Sequence, residues 1–103
     1  MSTPTVEGFQ FDDDNSQKFG AHGLTDRQVD QILDNEFLVV PNRRSRRGSY
    51  LLLGTDNGGA CIAVPIEPTA ESGIWRPITA WPCKQAERIH LERAKRRWNE
   101  EAQ

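Results

Sequence analysis

Apolar and polar residues alternate through Gly8-Phe9-Gln10-Phe11, the period of a short strand. Asp12, Asp13 and Asp14 follow. Aspartate caps helices and its charge suits a helix N-terminus, so this run predicts a short helix through Phe19 that Gly20 and Gly23 bring to an end. The next start signal is stronger. Thr25 stands as N-cap with Gln28 three residues on, the reciprocal pair of a capping box, and Leu24 is placed to staple onto Val29. Val29, Ile32 and Leu33 give this helix its buried face, and Asn35 is its stop.

The period then shortens to that of strands. Phe37–Val40, Ser49–Leu53, Ala60–Ile66 and Ile74–Trp81 are β-rich runs parted by turn-forming clusters. Asp56-Asn57-Gly58-Gly59 supplies the positive-φ residues of a hairpin, which makes the second and third runs antiparallel neighbours. Pro65 and Pro77 cannot donate ladder hydrogen bonds and so predict a strand end, an edge or a bulge. Residues 84–99 close the pattern as a helix. The order predicts an α+β fold: an antiparallel sheet of four to five strands, the helices packed on one face and the other face open. A single domain is expected over residues 8–99, with tails at 1–7 and 100–103.

Composition narrows the class. A chain of 103 residues builds one modest core, which excludes a second independent domain. Charged residues make up 27%, but the apolar ones are clustered, as in a folded domain. Met1–Val6 has neither the basic nor the apolar part of a targeting signal, and no apolar run reaches membrane-spanning length; a cytoplasmic protein with no membrane partner is expected. Cys61 and Cys83 lack CxxC or histidine spacing, so they read as reduced, small apolar residues, and neither a metal nor a cofactor is expected. Phosphate-cradling GxxxxGK, HExxH and nucleophile-elbow motifs are missing.

Charge is divided unevenly. Residues 1–36 hold eight acids against Lys18 and Arg27, and the remainder holds eleven bases against seven acids. Arg43, Arg44, Arg46 and Arg47 crowd one hairpin loop, where guanidinium forks would grip a nucleic-acid backbone, meet an acidic partner or simply face solvent. The last helix carries Glu87 on the same stripe as Leu91, Ala94 and Trp98. A carboxylate there needs a partner, and Arg76 on the preceding strand is the nearest candidate, either as a structural ion pair or as part of a site. His22 either transfers protons or fixes the turn between two helices. His90 flanks the stripe. Trp75, Thr79 and Trp81 share one side of the final strand, where exposed indoles would stack bases.

Taken in order, several pieces resemble the BrnT family of bacterial toxins: Phe9-Gln10-Phe11-Asp12, Asn15, Lys18, His22-Gly23-Leu24, the tyrosine strand ending in Leu53-Gly54, Arg76-Pro77-Ile78-Thr79-Ala80, and Glu87. The likeness spans roughly residues 8–92. Thr79 replaces the family's usual serine, Pro77 an aliphatic residue, and Trp81 a common arginine. The resemblance implies a RelE-like fold, metal-independent endoribonuclease activity and a cognate antitoxin that silences it. Arg76 would then stabilise the phosphorane, His22 or Glu87 would act as base, and Lys18 with Arg43, Arg44, Arg46 and Arg47 would position the RNA substrate. A catalytically inactive domain of the same fold, holding a protein partner through the open sheet face and the arginine loop, is the alternative.

Overall fold

Both N-terminal helices begin on capping boxes. In the computed structural model, which describes residues 4–43 and 48–101, Asp12 is the residue of the aspartate run that caps α1 (Asp13–Ala21). Its side chain accepts from the Asn15 N–H at 2.8 Å while Asn15 Oδ1 accepts from the Asp12 N–H at 3.0 Å. Asn15 is fully buried, and its amide also donates to the Gln10 carbonyl. Thr25 and Gln28 make the predicted reciprocal pair for α2 (Asp26–Gln31). A short 3-10 turn at Ile32–Asp34 ends this unit, and Asn35 terminates it.

Six described strands form the sheet: β1 (Gly8–Phe9), β2 (Phe37–Pro41), β3 (Tyr50–Thr55), β4 (Cys61–Pro68), β5 (Ile74–Pro77) and β6 (Trp81–Pro82). The strand order is β1-β5-β4-β3-β2, with β6 continuing beside β4. The α+β class holds. The sheet, however, is mixed: β1 runs parallel to β5, pairing Gly8 with Ile74 and Phe9 with Trp75, while the other pairings are antiparallel. The β3–β4 hairpin turns where predicted, with Asp56 Oδ1 accepting from the Gly58 and Ala60 N–H groups and Gly59 at φ +88°.

The run expected as one strand over Ile74–Trp81 is broken. Ile66 pairs with Pro77 and Ala63 with Trp81, so three residues, Ile78–Ala80, oppose the two residues Val64 and Pro65. This is a one-residue bulge at the place where Pro65 has no N–H to give, and the Ile78 N–H donates to the Pro65 carbonyl instead.

Alternation along β3 and β4 sends Leu52, Ile62, Val64 and Ile66 to one face, where Phe19, Leu24, Val29 and Ile32 of the helical N-terminal unit cover them. Leu53 and Ala63 point the other way, onto Leu91 of α3 (Gln85–Glu101) and Cys83. Helices therefore lie on both faces. The expected open sheet face is occupied by α3, because the alternating apolar residues of β3 and β4 require cover on both sides.

Gly54 marks the tightest contact on the N-terminal side. A Cβ there would collide with Cγ2 of Ile32 and press on Cβ of Phe37 at 3.2 Å. Gly54→Ala is expected to cost about 1–3 kcal/mol by overpacking. Thermal denaturation checks this, and an unchanged midpoint would refute the close approach.

Cys61 and Cys83 form a disulfide, which corrects the expectation of free thiols. The β4–β6 register sets Ile62 against Pro82, so the two cysteines face each other at the next position, with Cα atoms 5.3 Å apart and the Cys83 N–H on the Cys61 carbonyl. That distance lies within the ordinary range for a bridge.

Candidate functional site

Helix α1 presents Lys18 and His22 one turn apart on one face. His22 is the C-cap residue, and Gly23 at φ +77° then turns the chain away, leaving the imidazole exposed at the helix end. Opposite stands the bulge, which turns Ile78 and Thr79 toward the same space, followed by Trp81 of β6. Together with Asn42 at the end of β2, these side chains line a cleft of about 390 Å³. Of the candidates named from the sequence, the cleft gathers Lys18, His22, Thr79 and Trp81.

The described residues that flank the arginine-rich segment lie near it. Asn42 lines the cleft wall, and Gly48 lies so close behind Ile78 that an added Cβ would stand 3.1 Å from its Cδ1. Arg43 is exposed next to Asn42. Arg44, Arg46 and Arg47 lie outside the described residues.

Arg76 and Glu87 do not meet. Arg76 Nε donates to Asp12 Oδ2 at 2.8 Å, its Nη1 to Glu67 at 3.2 Å and its Nη2 to Asp14 at 3.3 Å. The parallel β1–β5 pairing brings Asp12 over β5, and the β4–β5 register puts Glu67 directly opposite Arg76. With three carboxylates around it, chiefly Asp12, the guanidinium is held above its ordinary pKa. It is the hub of a structural ion cluster and does not line the cleft. Asp14 extends that cluster to the cleft edge, because its Oδ2 also takes Lys18 Nζ at 3.2 Å.

Glu87 is half-buried and turned toward its own helix start. Its carboxylate accepts from the Lys84 N–H at 2.8 Å and from Trp81 Nε1 at 3.0 Å, closing the α3 N-terminus and fixing the indole that walls the cleft. Trp75 is likewise structural: it packs edge-on against Tyr50 and donates to the Thr5 carbonyl at 2.9 Å. Asn42, Pro65 and Ile78 also line the cleft, and nothing local in the chain marks them as site residues.

Three carboxyl groups are held below their usual range. For Asp12 the leading cause is the Arg76 hydrogen bond, and for Asp14 it is the Lys18 hydrogen bond. Burial pushes Asp56 up, but the N–H groups of Ala60, Gly58 and Gly59 and the Gln28 amide together outweigh it. A depressed folded-state pKa contributes stability above the unfolded value, here about 3.8, and that contribution is lost as pH falls through the folded value. The melting temperature should therefore hold steady from neutral pH down to about 5 and fall below about 4. Asp56→Asn should be less stable at neutral pH and show a shallower acid limb in melts across that range. Parallel acid limbs for the two proteins would count against the turn carboxylate as a contributor.

Among the described residues, no helix is long and apolar enough to cross a membrane, and no group of three or more His, Cys, Asp or Glu side chains has the arrangement of a metal site. No family model matches the chain, and comparison with curated proteins finds no match.

Proposed function

We propose that this protein is a toxin-type endoribonuclease that works in the Lys18–His22–Trp81 cleft and is silenced by a cognate antitoxin protein. The observation that carries the reading is the meeting of an exposed imidazole, an ammonium group and an indole in one cleft. His22 is the base. It takes the proton of a ribose 2′-OH as O2′ attacks the adjacent phosphorus; the P–O2′ bond forms, the P–O5′ bond breaks, and water protonates the departing 5′-oxygen. The products are a 2′,3′-cyclic phosphate and a 5′-hydroxyl end. Lys18 supplies positive charge where the phosphorane gathers negative charge. The loop arginines Arg43, Arg44, Arg46 and Arg47 hold the backbone, and Trp81 offers a π-face to a base. Thr79 contributes a hydroxyl to the cleft wall.

This division of labour departs from the one the family resemblance implies. Arg76 is engaged by three carboxylates away from the cleft and Glu87 by its own helix start, so the charge stabilisation assigned to Arg76 passes to Lys18, which lines the cleft beside Asp14, and the choice of base narrows to His22. The same engagement favours a second reading, in which the cleft binds single-stranded RNA without cutting it.

The two readings separate in one experiment. Purified protein is incubated with single-stranded RNA in EDTA, and the ends of any products are mapped while binding is followed across a salt series. Cyclic-phosphate ends support the endoribonuclease. Binding with a steep salt dependence and intact RNA supports the binder. RNA that is neither bound nor cut overturns both.

A further inference from the structure

A second cleft of about 320 Å³ adjoins the first, and Asn42 and Trp81 line both. Its floor is apolar, with Leu51 and Leu53 of β3 beneath it. Its rim carries Arg43, Lys84 just before α3, and His90 farther along that helix, together with the carboxylate of Glu87, which is taken up by the Lys84 N–H and the Trp81 indole. Lys84 Nζ stands 5.8 Å from the centre of the Trp81 ring, so an ammonium group is already poised above the shared wall. Trp81 is not free to swing, because Glu87 holds its indole N–H at 3.0 Å.

The two clefts are therefore neighbours divided by one fixed aromatic side chain, each with apolar side chains within and a cation on its lip, the one carboxylate of the second, Glu87, being engaged by the Trp81 indole and the Lys84 N–H. That arrangement matches a strand of alternating bases and phosphates. An acidic peptide would supply charge but nothing planar for the apolar floors.

We propose that the second cleft is an adjoining nucleotide subsite of the same groove, taking the base next to the one held beside His22, with Arg43 and Lys84 meeting the phosphate that passes over Trp81 and His90 closing the far side. The proposal rests on the single-stranded RNA reading and extends it. RNA binds as a run of at least two nucleotides, and mononucleotides use only the first cleft.

The test uses the full chain and 2′-O-methyl oligouridylates, whose blocked 2′-oxygen removes the attacking group so that binding is read apart from cleavage. Affinities for UMP, the dinucleotide and the tetranucleotide are measured at fixed salt for the wild type and for Lys84→Ala/His90→Ala. The double variant should bind the di- and tetranucleotide about tenfold more weakly, lower the salt slope by about one, and hold UMP within about twofold of the wild type. Lys84 acts in the α3 cap through its backbone N–H, which alanine keeps; if the double variant nonetheless melts early, Lys84→Gln/His90→Gln is read in its place.

Equal losses for UMP and the tetranucleotide, or no loss for either, overturn the second subsite while the RNA reading stands. A polyglutamate peptide that competes fully for the Lys84–His90 rim overturns it in favour of a protein partner. Failure of the wild type to bind any of the oligonucleotides overturns the subsite and the RNA reading together.

Discussion

His22→Ala is expected to lower the rate of RNA cleavage by about 10²–10⁴-fold, the usual contribution of a positioned acid–base group. Its melting temperature should stay within a degree or two of the wild type, since the imidazole is exposed and none of the described residues hydrogen-bonds it. Arg76→Ala should do the reverse. Removing the guanidinium leaves Asp12, Asp14 and Glu67 facing one another without their shared cation. Arg76 is only 20% exposed, so the loss should be about 2 kcal/mol, smaller than for a fully buried group. For a chain of this size that lowers the melting temperature by about 9 °C. Below its own melting range the variant should cut RNA at close to the wild-type rate. Measuring the cleavage rate and the melt on both variants distinguishes a catalytic residue from a structural one. The assignment fails if Arg76→Ala abolishes cleavage in a protein that melts normally, or if His22→Ala cuts at the full rate.

Arg76 and Glu87 stand apart for a definite physical reason. The helical stripe has the phase its spacing predicts: Leu91 and Ala94 are buried and Trp98 is half-buried along the line that Glu87 begins. A stripe, however, says only which way a side chain faces, and what it faces depends on where the helix starts. The first turn of α3 lies over the end of β6, so Glu87 meets Trp81 and its own N-terminus. Arg76 is placed by pairings far away in sequence, β5 with β1 and with β4, which bring in Asp12 and Glu67. Local signals fared better. The capping box at Thr25, the turn at Asp56–Gly59 and the interruption at Pro65 each depend on a few consecutive residues, and each is present.

The same contrast runs through the candidate site. Lys18 and His22 are each named by the sequence, but their meeting on one helix face is not legible there, since the helix expected to stop at Phe19 runs on to Ala21 and carries His22 as its C-cap. That Thr79 and Trp81 would face them was not legible either, since this follows from a bulge whose direction is set by the β4 register. Closure of the second sheet face was equally non-local: it required knowing that β3 and β4 are central strands, and so apolar on both sides.

Serine at both Cys61 and Cys83 should lower the melting temperature by about 14 °C, from a loss of about 3 kcal/mol for a bridge that closes a loop of this length. The cysteines are 22 residues apart, and the loop between them holds the rest of β4, all of β5 and β6, and the bulge. Opening the bridge lets the unfolded chain explore more conformations and leaves β6, two residues long, tied to β4 by few ladder bonds. Trp81 rides on β6, so the loss should reach the cleft as well as the core: oligonucleotide affinity should fall in the double-serine protein more than heat lability alone explains when both proteins are compared well below their melting ranges. Treating the wild type with a dithiol should reproduce both effects, and the double-serine protein should not respond to the dithiol at all. A wild type that melts at one temperature with and without reductant would show that the bridge contributes nothing to stability, and with it would fall the idea that the wall between the two clefts is held in place by a covalent clamp.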